Sequence, residues 1–563
     1  MRILLLAHAF NGLTQRLWCA LGELGHELSL ELDISDDVTR EAIAVYAPDV
    51  VIAPFLRRAL PADVWRRVPC LVVHPGPPGD RGPAALDWAI LERRERWGVT
   101  VLQADAEFDG GVVHASATFP MRDASKASLY RDEVATTAVG AVLEAVACMG
   151  TGRAPPSDVP APVRDVGWRR ALSQQDRTID WLRQDTAEVL RQLRAGDSAP
   201  GVRDDILGVA AFLYDAYRGP LIAGARPGEW VCRAPGALLR ATHDGSVWIG
   251  HARRDEPRAF KLPVRLACPE AATLAELASQ SDTVRASVPE PIAYREQGAV
   301  GYLRFAFYNG AMATDDCRRL LAAIAAAAAR PTRVLVLEGG REFWSNGIHL
   351  NVIEAAASPA DESWRNIEAI DDVAEAIVRM AGKLTVAAVG GNAGAGGAFL
   401  ALAADRVWVR PGVVLNLHYR NMGNLYGSEL WTYTLPRRVG AGAQALMRAR
   451  QPLLGSQALA RGLADAAFGI SFEEFAAEVS LRADALATSA DFDQQLAERA
   501  ARRAADEVHR PLASYREEEM AEMRRSFYGF DTSYHVARHR FVHKAPHSWT
   551  PRHLARHRDP APR

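Results

Sequence analysis

The sequence predicts an α/β protein of several domains, and three observations carry that prediction. At 563 residues the chain is longer than one hydrophobic core organises, and at roughly 150 residues per domain it divides into about three or four. In its first hundred residues short apolar runs alternate with segments of helical period, which is the pattern of a doubly wound parallel sheet. Beyond residue 330 two more apolar runs each end in a glycine-bearing turn: VLVLEGG, from Val334 to Gly340, and AAVGGNAGAGGAFLALAADRV, from Ala387 to Val407.

Composition narrows the class. Nearly half the residues are hydrophobic (48%) and 24% are charged, with a formal net charge of -2, so no global charge argues for nucleic acid or a membrane surface. The apolar start Ile3 to Ala7 is interrupted by Asn11 and Gln15 too soon for a signal peptide, and no run reads as long and apolar enough to span a bilayer. Six cysteines are scattered without a CxxC pair, which argues against zinc and against a disulfide framework. A reducing cytoplasm is the expected compartment.

Taken in order, Met1 to Ala7 reads as a buried strand, and Leu13, Leu17, Leu21 and Leu24 recur at helical spacing behind it. The runs Val50 to Pro54, Leu71 to His74 and Val99 to Gln103 continue the alternation. Ligands of such sheets bind beyond the carboxyl ends of strands, which is where His74 and Asp109 fall. A lone strand-end histidine is also satisfied by a loop carbonyl. Gly152 to Pro162, rich in proline and small residues, reads as a linker. Ser173 to Gly196 is helical in character, GALLRAT and GSVWIGHA are strand-like, and Cys268 to Pro289 reads as a charged, alanine-rich helix and hinge.

From Pro291 a strand, a turn at Asn309–Gly310 and a helix with Thr314 as N-cap are expected. The turn at Gly390, Gly391, Gly394, Gly396 and Gly397 joins a strand to a helix almost without side chains. Its backbone N–H groups are open to a ligand that a Cβ would shield, so it suits an oxyanion. It lacks GxxxxGK[ST] and an acidic residue at ribose distance, which weakens a nucleotide reading. A tight helix–strand contact also accounts for such a run. Leu415 to Gly440 is dense in polar and aromatic residues, among them Tyr419, Tyr426, Glu429 and Tyr433. Core packing accounts for tyrosines in general, and Glu429 reads as a surface carboxylate unless something desolvates it. The end of the chain carries His535, His539, His543, His547, His553 and His557 among arginines. Steps of four could stack metal ligands on one helical face. With no acidic or cysteine ligand beside them and Pro546 and Pro551 breaking the helix, no metal is expected, and a basic segment closing over an anion, or a solvated arm, is.

Two stretches near the N-terminus, VVHPGPPGDRGPAALDWAI and WGVTVLQADAEFDGGVV, resemble the formyltetrahydrofolate-dependent formyltransferases. The resemblance implies an asparagine, histidine and aspartate set around the formyl carbon. The histidine falls on His74 and the aspartate on Asp109, while Val72 replaces the asparagine, which puts the usual amine acceptor in doubt. Asn11 and Arg81 are the expected folate-side binding residues. The resemblance continues more loosely to about residue 265 as a small β-barrel-like domain.

VLVLEGG followed by REFWSNGIHL, together with the glycine run, resembles the crotonase (enoyl-CoA hydratase/isomerase) family. That family polarises a thioester carbonyl with two backbone N–H groups, here carried over to Ile348 and Gly396, with Gly347, Gly396 and Gly397 lining the approach of coenzyme A. Its two catalytic glutamates are missing: one position is Phe399 and the other falls at or beside Tyr419. Hydration needs those bases. The remaining candidates for proton handling are Tyr419, Tyr426 and Glu429.

A formyltransferase half fused to a crotonase half lacking its glutamates resembles the HoxX family of hydrogenase maturation proteins. The expected architecture is a Rossmann-like formyltransferase domain (1–165), a small β-barrel-like domain (166–267), a linker (268–290), a crotonase-like ββα superhelix (291–510) and a tail (511–563). The resemblance implies synthesis of the carbon monoxide ligand of nickel–iron hydrogenase from formyltetrahydrofolate through formyl-coenzyme A, with formyltetrahydrofolate and coenzyme A as cofactors and hydrogenase maturation machinery as partner. The alternatives are a formyltransferase on another acceptor fused to an unrelated acyl-CoA enzyme, and a folate- and coenzyme A-binding chaperone without turnover.

Overall fold

The computed structural model describes residues 1–152, 163, 165–417 and 419–559. The expected linker lies outside them except for Gly152. The chain forms two compact units, Met1–Pro289 with Pro546–Arg563, and Glu290–Ala545.

The first unit opens with a six-stranded sheet: β1 (Arg2–Ala7), β2 (Glu27–Leu32), β3 (Val50–Phe55), β4 (Cys70–His74), β5 (Arg96–Gln103) and β6 (Val113–Pro120), in the order β2-β1-β3-β4-β5-β6. β1 to β4 run parallel, but β5 and β6 are antiparallel, with His74 opposite Thr100. The expectation of a wholly parallel sheet is corrected there. A strand buried on both faces is an apolar run whichever way it points, so the residues of Val99 to Gln103 do not record direction. The helix Gly12–Glu23 is capped by Asn11, whose Oδ1 accepts the Thr14 N–H at 3.0 Å, and buries Leu13, Leu17 and Leu21.

Lys126–Gly150 is one helical stretch long and apolar enough, by length and composition, to cross a membrane, contrary to the sequence expectation. Its Ala138, Val142, Ala145 and Val146 are buried, and it packs on β5 and β6 as a core helix does. The rest of this unit centres on antiparallel strands at Val202–Ile206, Val209–Gly219, Trp230–Arg233, Leu238–Ala241 and Ser246–Arg254, against the helix Thr186–Gly196, which carries an Asp185–Glu188 capping box. The stretch expected as helix and hinge is partly sheet, because Ala275–Glu276 pairs in parallel with Trp230–Arg233.

The chain's last residues return to this unit and fasten β2, the edge of the first sheet. The Leu30 N–H donates to the Leu554 carbonyl at 3.0 Å and the Leu32 N–H to Thr550 Oγ1 at 2.9 Å. Between them Glu31, fully buried, accepts hydrogen bonds from Thr550, from His557 Nε2 at 3.0 Å and from Arg558 Nε at 2.8 Å. Thr550 to Arg558 is therefore no solvated arm.

The second unit has two sheets that the chain visits alternately. Val334–Glu338, Leu384–Val389 and Arg406–Val409 lie side by side in a six-stranded sheet, and each is followed by a short strand of a four-stranded one: Phe343–Ser345, Asn392–Gly394 and Val414–Asn416. This spiral brings the two glycine turns, which follow the first two short strands, to one place. Thr314 begins its helix rather than capping it; Asp316 instead accepts the Ala313 N–H at 3.1 Å. Residues 512–542, expected as part of the tail, instead form two helices, Leu512–Tyr528 and Ser533–Val542, which pack in this unit through Leu512, Met523, Phe527 and Tyr534, all buried.

Candidate active sites

In the first unit the end of β4 holds His74 buried between two carboxylates. Its Nε2 lies 2.9 Å from Asp80 Oδ2 and its Nδ1 3.4 Å from Asp109 Oδ2. Gly76 lets the chain turn there, since a Cβ at that position would overlap both His74 Nε2 and Asp80 Oδ2. Asp109 takes a left-handed backbone (φ 55°) and accepts the Gly82 N–H at 3.1 Å. Burial pushes its carboxyl up from the ordinary aspartate value, with His74 and the Gly82 N–H pulling the other way. The expected pair is thus together, but the nearer partner of the imidazole is Asp80, whose other oxygen is buried without a hydrogen-bond partner. Arg81 turns its guanidinium to Glu107, and Asn11 is committed to its helix cap.

In the second unit the two turns touch. Gly347 has φ 75°, and a Cβ on it would lie 3.3 Å from the Gly396 nitrogen. Gly397 packs against the Ser345 carbonyl too closely for any side chain. Among the described residues neither the Ile348 nor the Gly396 N–H donates to a protein acceptor. A Cβ on Gly396 would overlap Oε1 of Glu429, so the carboxyl of Glu429 faces the glycine turn itself. Glu429 is 1% exposed; the reading of a surface carboxylate is corrected, and the fold supplies the desolvation. Tyr419 donates its hydroxyl to Glu429 Oε2 and stacks on Phe399, with ring centroids 5.2 Å apart. Tyr426 packs against Trp431 instead, 5.4 Å between centroids.

Two further buried carboxylates, which the sequence did not single out, hold the turn bearing Glu429. Asp371, on the helix Pro359–Val378, accepts the Glu429 N–H at 2.7 Å and the Ser428 hydroxyl. Glu519, on Leu512–Tyr528, accepts the N–H of Leu430 at 2.9 Å and of Thr432 at 2.7 Å. Both Glu429 and Leu430 have left-handed backbones (φ 60° and 59°), a conformation that non-glycine residues keep only when the surroundings over-determine it. Burial, and then the neighbouring Asp371 charge, raise the Glu429 carboxyl well above the usual carboxylate range. Burial likewise raises the Tyr419 phenol far above its ordinary value, with Glu429 adding to it. Both shifts favour the protonated forms, a carboxylic acid hydrogen-bonded to a phenol.

Comparison with known proteins fits this geometry. Residues 31–146 match the formyl transferase family, 171–263 the formyl transferase C-terminal domain, and 311–552 the enoyl-CoA hydratase/isomerase family. The hydrogenase maturation factor HoxX of Bradyrhizobium diazoefficiens is 54% identical over 99% of this chain and 97% of its own length. The chain belongs to the HoxX family of hydrogenase maturation factors. The crystal structure of HypX from Aquifex aeolicus in complex with tetrahydrofolic acid superposes with a TM-score of 0.94 at 45% identity, covering 100% of this chain and 99% of that one. Methionyl-tRNA formyltransferase of Ralstonia nicotianae shares 29% identity over 37% of this chain and 62% of its own length. In this family member the formyltransferase and crotonase-like parts therefore occur together in one mixed α/β chain.

Of the residues missed, Asp80 lay inside a motif already in view, six positions after His74. Asp371 and Glu519 carried no such signal, since a carboxylate on an amphipathic helix reads as surface until another element covers it.

Proposed function

We propose that the chain makes carbon monoxide from the formyl group of formyltetrahydrofolate through formyl-coenzyme A, and so supplies the CO ligand during nickel–iron hydrogenase maturation. The tetrahydrofolate complex of the Aquifex relative supports the donor. Coenzyme A is inferred from the crotonase-like turns. In the first step the thiol adds to the formyl carbon and gives its proton to Asp109, with His74, oriented by Asp80, stabilising the tetrahedral oxyanion. The C–N bond then breaks, the folate nitrogen takes that proton back, and tetrahydrofolate leaves.

In the second step one proton must move from the formyl carbon to sulfur as the C–S bond breaks. Ile348 and Gly396 N–H groups hold the formyl oxygen. Glu429, neutral before the reaction, protonates the departing sulfur, and its carboxylate, hydrogen-bonded by Tyr419, takes the formyl proton. The products are CO and free coenzyme A, with Glu429 restored. The observation carrying this reading is the buried Glu429 carboxyl facing Gly396, beside a phenol, where water addition needs one ionised base to take water's proton and an acid to deliver one to carbon.

The test is incubation of the pure protein with formyltetrahydrofolate and coenzyme A, following tetrahydrofolate release and trapping CO on a haem reporter. Both products are expected, and CO should require coenzyme A. Tetrahydrofolate release without CO would overturn the decarbonylation, and binding with neither product would leave a chaperone.

A further inference from the structure

The histidine ladder near the C-terminus was set aside in the sequence for want of an acidic partner, and the fold supplies one. Glu354 stands on the short helix Leu350–Ala355, directly after the Ile348 turn. His539 and His543 stand one turn apart at the end of Ser533–Val542, with His543 as its C-cap, so the helix ends before Pro546 interferes. Oε1 of Glu354 lies 2.7 Å from His539 Nδ1 and 3.4 Å from His543 Nε2, and the three atoms fall within 4.8 Å of one another. The two imidazole centroids are 4.2 Å apart.

We propose that Glu354, His539 and His543 form a binding site for a divalent transition-metal ion of the zinc class, ligated through Oε1, Nδ1 and Nε2 respectively, with a fourth position open to water. Zinc bonds to imidazole and carboxylate are about 2.0–2.2 Å long, which places tetrahedral ligand atoms roughly 3.4 Å apart. Two of the spacings are 2.7 and 3.4 Å and the third is within 4.8 Å, differences that side-chain rotation can close.

The surroundings are those of a ligating carboxylate. Arg538 Nε donates to the other oxygen of Glu354 at 2.7 Å, leaving Oε1 to the histidines. Arg538 is itself steadied by His535 Nδ1 at 2.9 Å, and His535 Nε2 meets the Phe527 carbonyl at 2.9 Å. Such outer partners fix a ligand's orientation. The guanidinium also opposes a cation held by charge alone. Ions that favour imidazole nitrogen fit, whereas calcium and magnesium, which rely on several oxygens, do not. Bound metal would pin the Ser533–Val542 helix to the helix that begins just after Ile348.

Chelator-treated full-length protein is titrated with cobalt(II), read by its visible ligand-field bands, and with zinc in competition. One equivalent bound with tetrahedral bands, displaced by zinc and unaffected by magnesium or calcium, is the expected result. His539→Ala and His543→Ala should each weaken binding by at least roughly tenfold, and Arg538→Lys, which alters only the outer partner, by about tenfold. His243→Ala, at an exposed histidine elsewhere, should leave it unchanged. His539 is itself largely exposed, so its variant is expected to keep the metal-free circular dichroism and melting of the native chain. Absence of binding to the native chain, or equal binding by native, His539→Ala and His543→Ala proteins, overturns the proposal.

Discussion

Replacing Gly396 by alanine tests the second site with a single methyl group. The new Cβ would lie 2.0 Å from Glu429 Oε1, 2.6 Å from its Cδ and 3.1 Å from Oε2. Ordinary contact needs about 3.5 Å, so the carboxyl must retreat by roughly 1–2 Å. It has little room to do so. Tyr419 holds one oxygen, and Asp371 and Glu519 hold the turn from which Glu429 projects. Forcing that shift costs about 1–3 kcal/mol of stability as overpacking. A displacement of about 1 Å at a reacting group costs on the order of a hundredfold in rate. The haem-reporter assay should therefore show CO formation falling about a hundredfold, while tetrahydrofolate release stays at least partly active. Gly412→Ala, where an added Cβ meets nothing within 4 Å, is the matched control and should behave as the native chain. CO formation by Gly396→Ala at the native rate, in a folded protein, would refute the placement of Glu429 against the thioester.

Three more outcomes follow from the same geometry. His74→Ala and Asp109→Asn should each lower tetrahydrofolate release by about a hundredfold or more, with folate binding, measured by equilibrium dialysis, largely kept; normal release by both would remove them from the reaction. Crotonyl-CoA hydration should be undetectable by absorbance, because Phe399 has no basic group and burial favours the protonated forms of Glu429 and Tyr419; turnover like that of a true hydratase would demand another base. The raised Glu429 carboxyl binds its proton more tightly in the folded chain than in the unfolded one. Its stabilising contribution is therefore complete below the ordinary carboxylate value of about 4.3 and is lost as pH rises through the folded value. Thermal unfolding across that range should decline less steeply with pH in Glu429→Gln than in the native chain, and parallel curves would contradict the buried neutral acid.

Much of the fold was legible because strands that pass into glycine turns announce themselves locally. Ala387 to Val407 carries strand, turn and following helix in one stretch, Val334 to Gly340 the strand that leads toward the Ile348 turn, and the turns lie where the sequence placed them. His74 was legible for the same reason, standing at the end of an apolar run. What escaped were groups whose meaning arises only across the fold. Asp371 and Glu519 come from helices well over a hundred residues apart and converge on one turn. Glu354 meets His539 across 185 residues of chain. Direction was hidden too, since the apolar residues of β5 would suit a parallel or an antiparallel neighbour equally well.

The fastening of β2 by Thr550 to Arg558 sets an order on synthesis. Glu27–Leu32 leaves the ribosome well before the residues that satisfy Glu31 and cover the Leu30 and Leu32 N–H groups, since Leu32 and Thr550 are 518 residues apart. At about 5–20 residues per second, roughly half a minute to two minutes separate the two. Throughout that interval the nascent sheet presents an open edge with a carboxylate that must stay hydrated, which holds the edge strand in an unfinished state and discourages pairing with other chains. Arrival of Thr550 to Arg558, rather than emergence of the first domain, is then the event that completes the N-terminal sheet. A ribosome-stalled chain ending at Ala545 should accordingly leave β2 open to protease while the strands beside it resist.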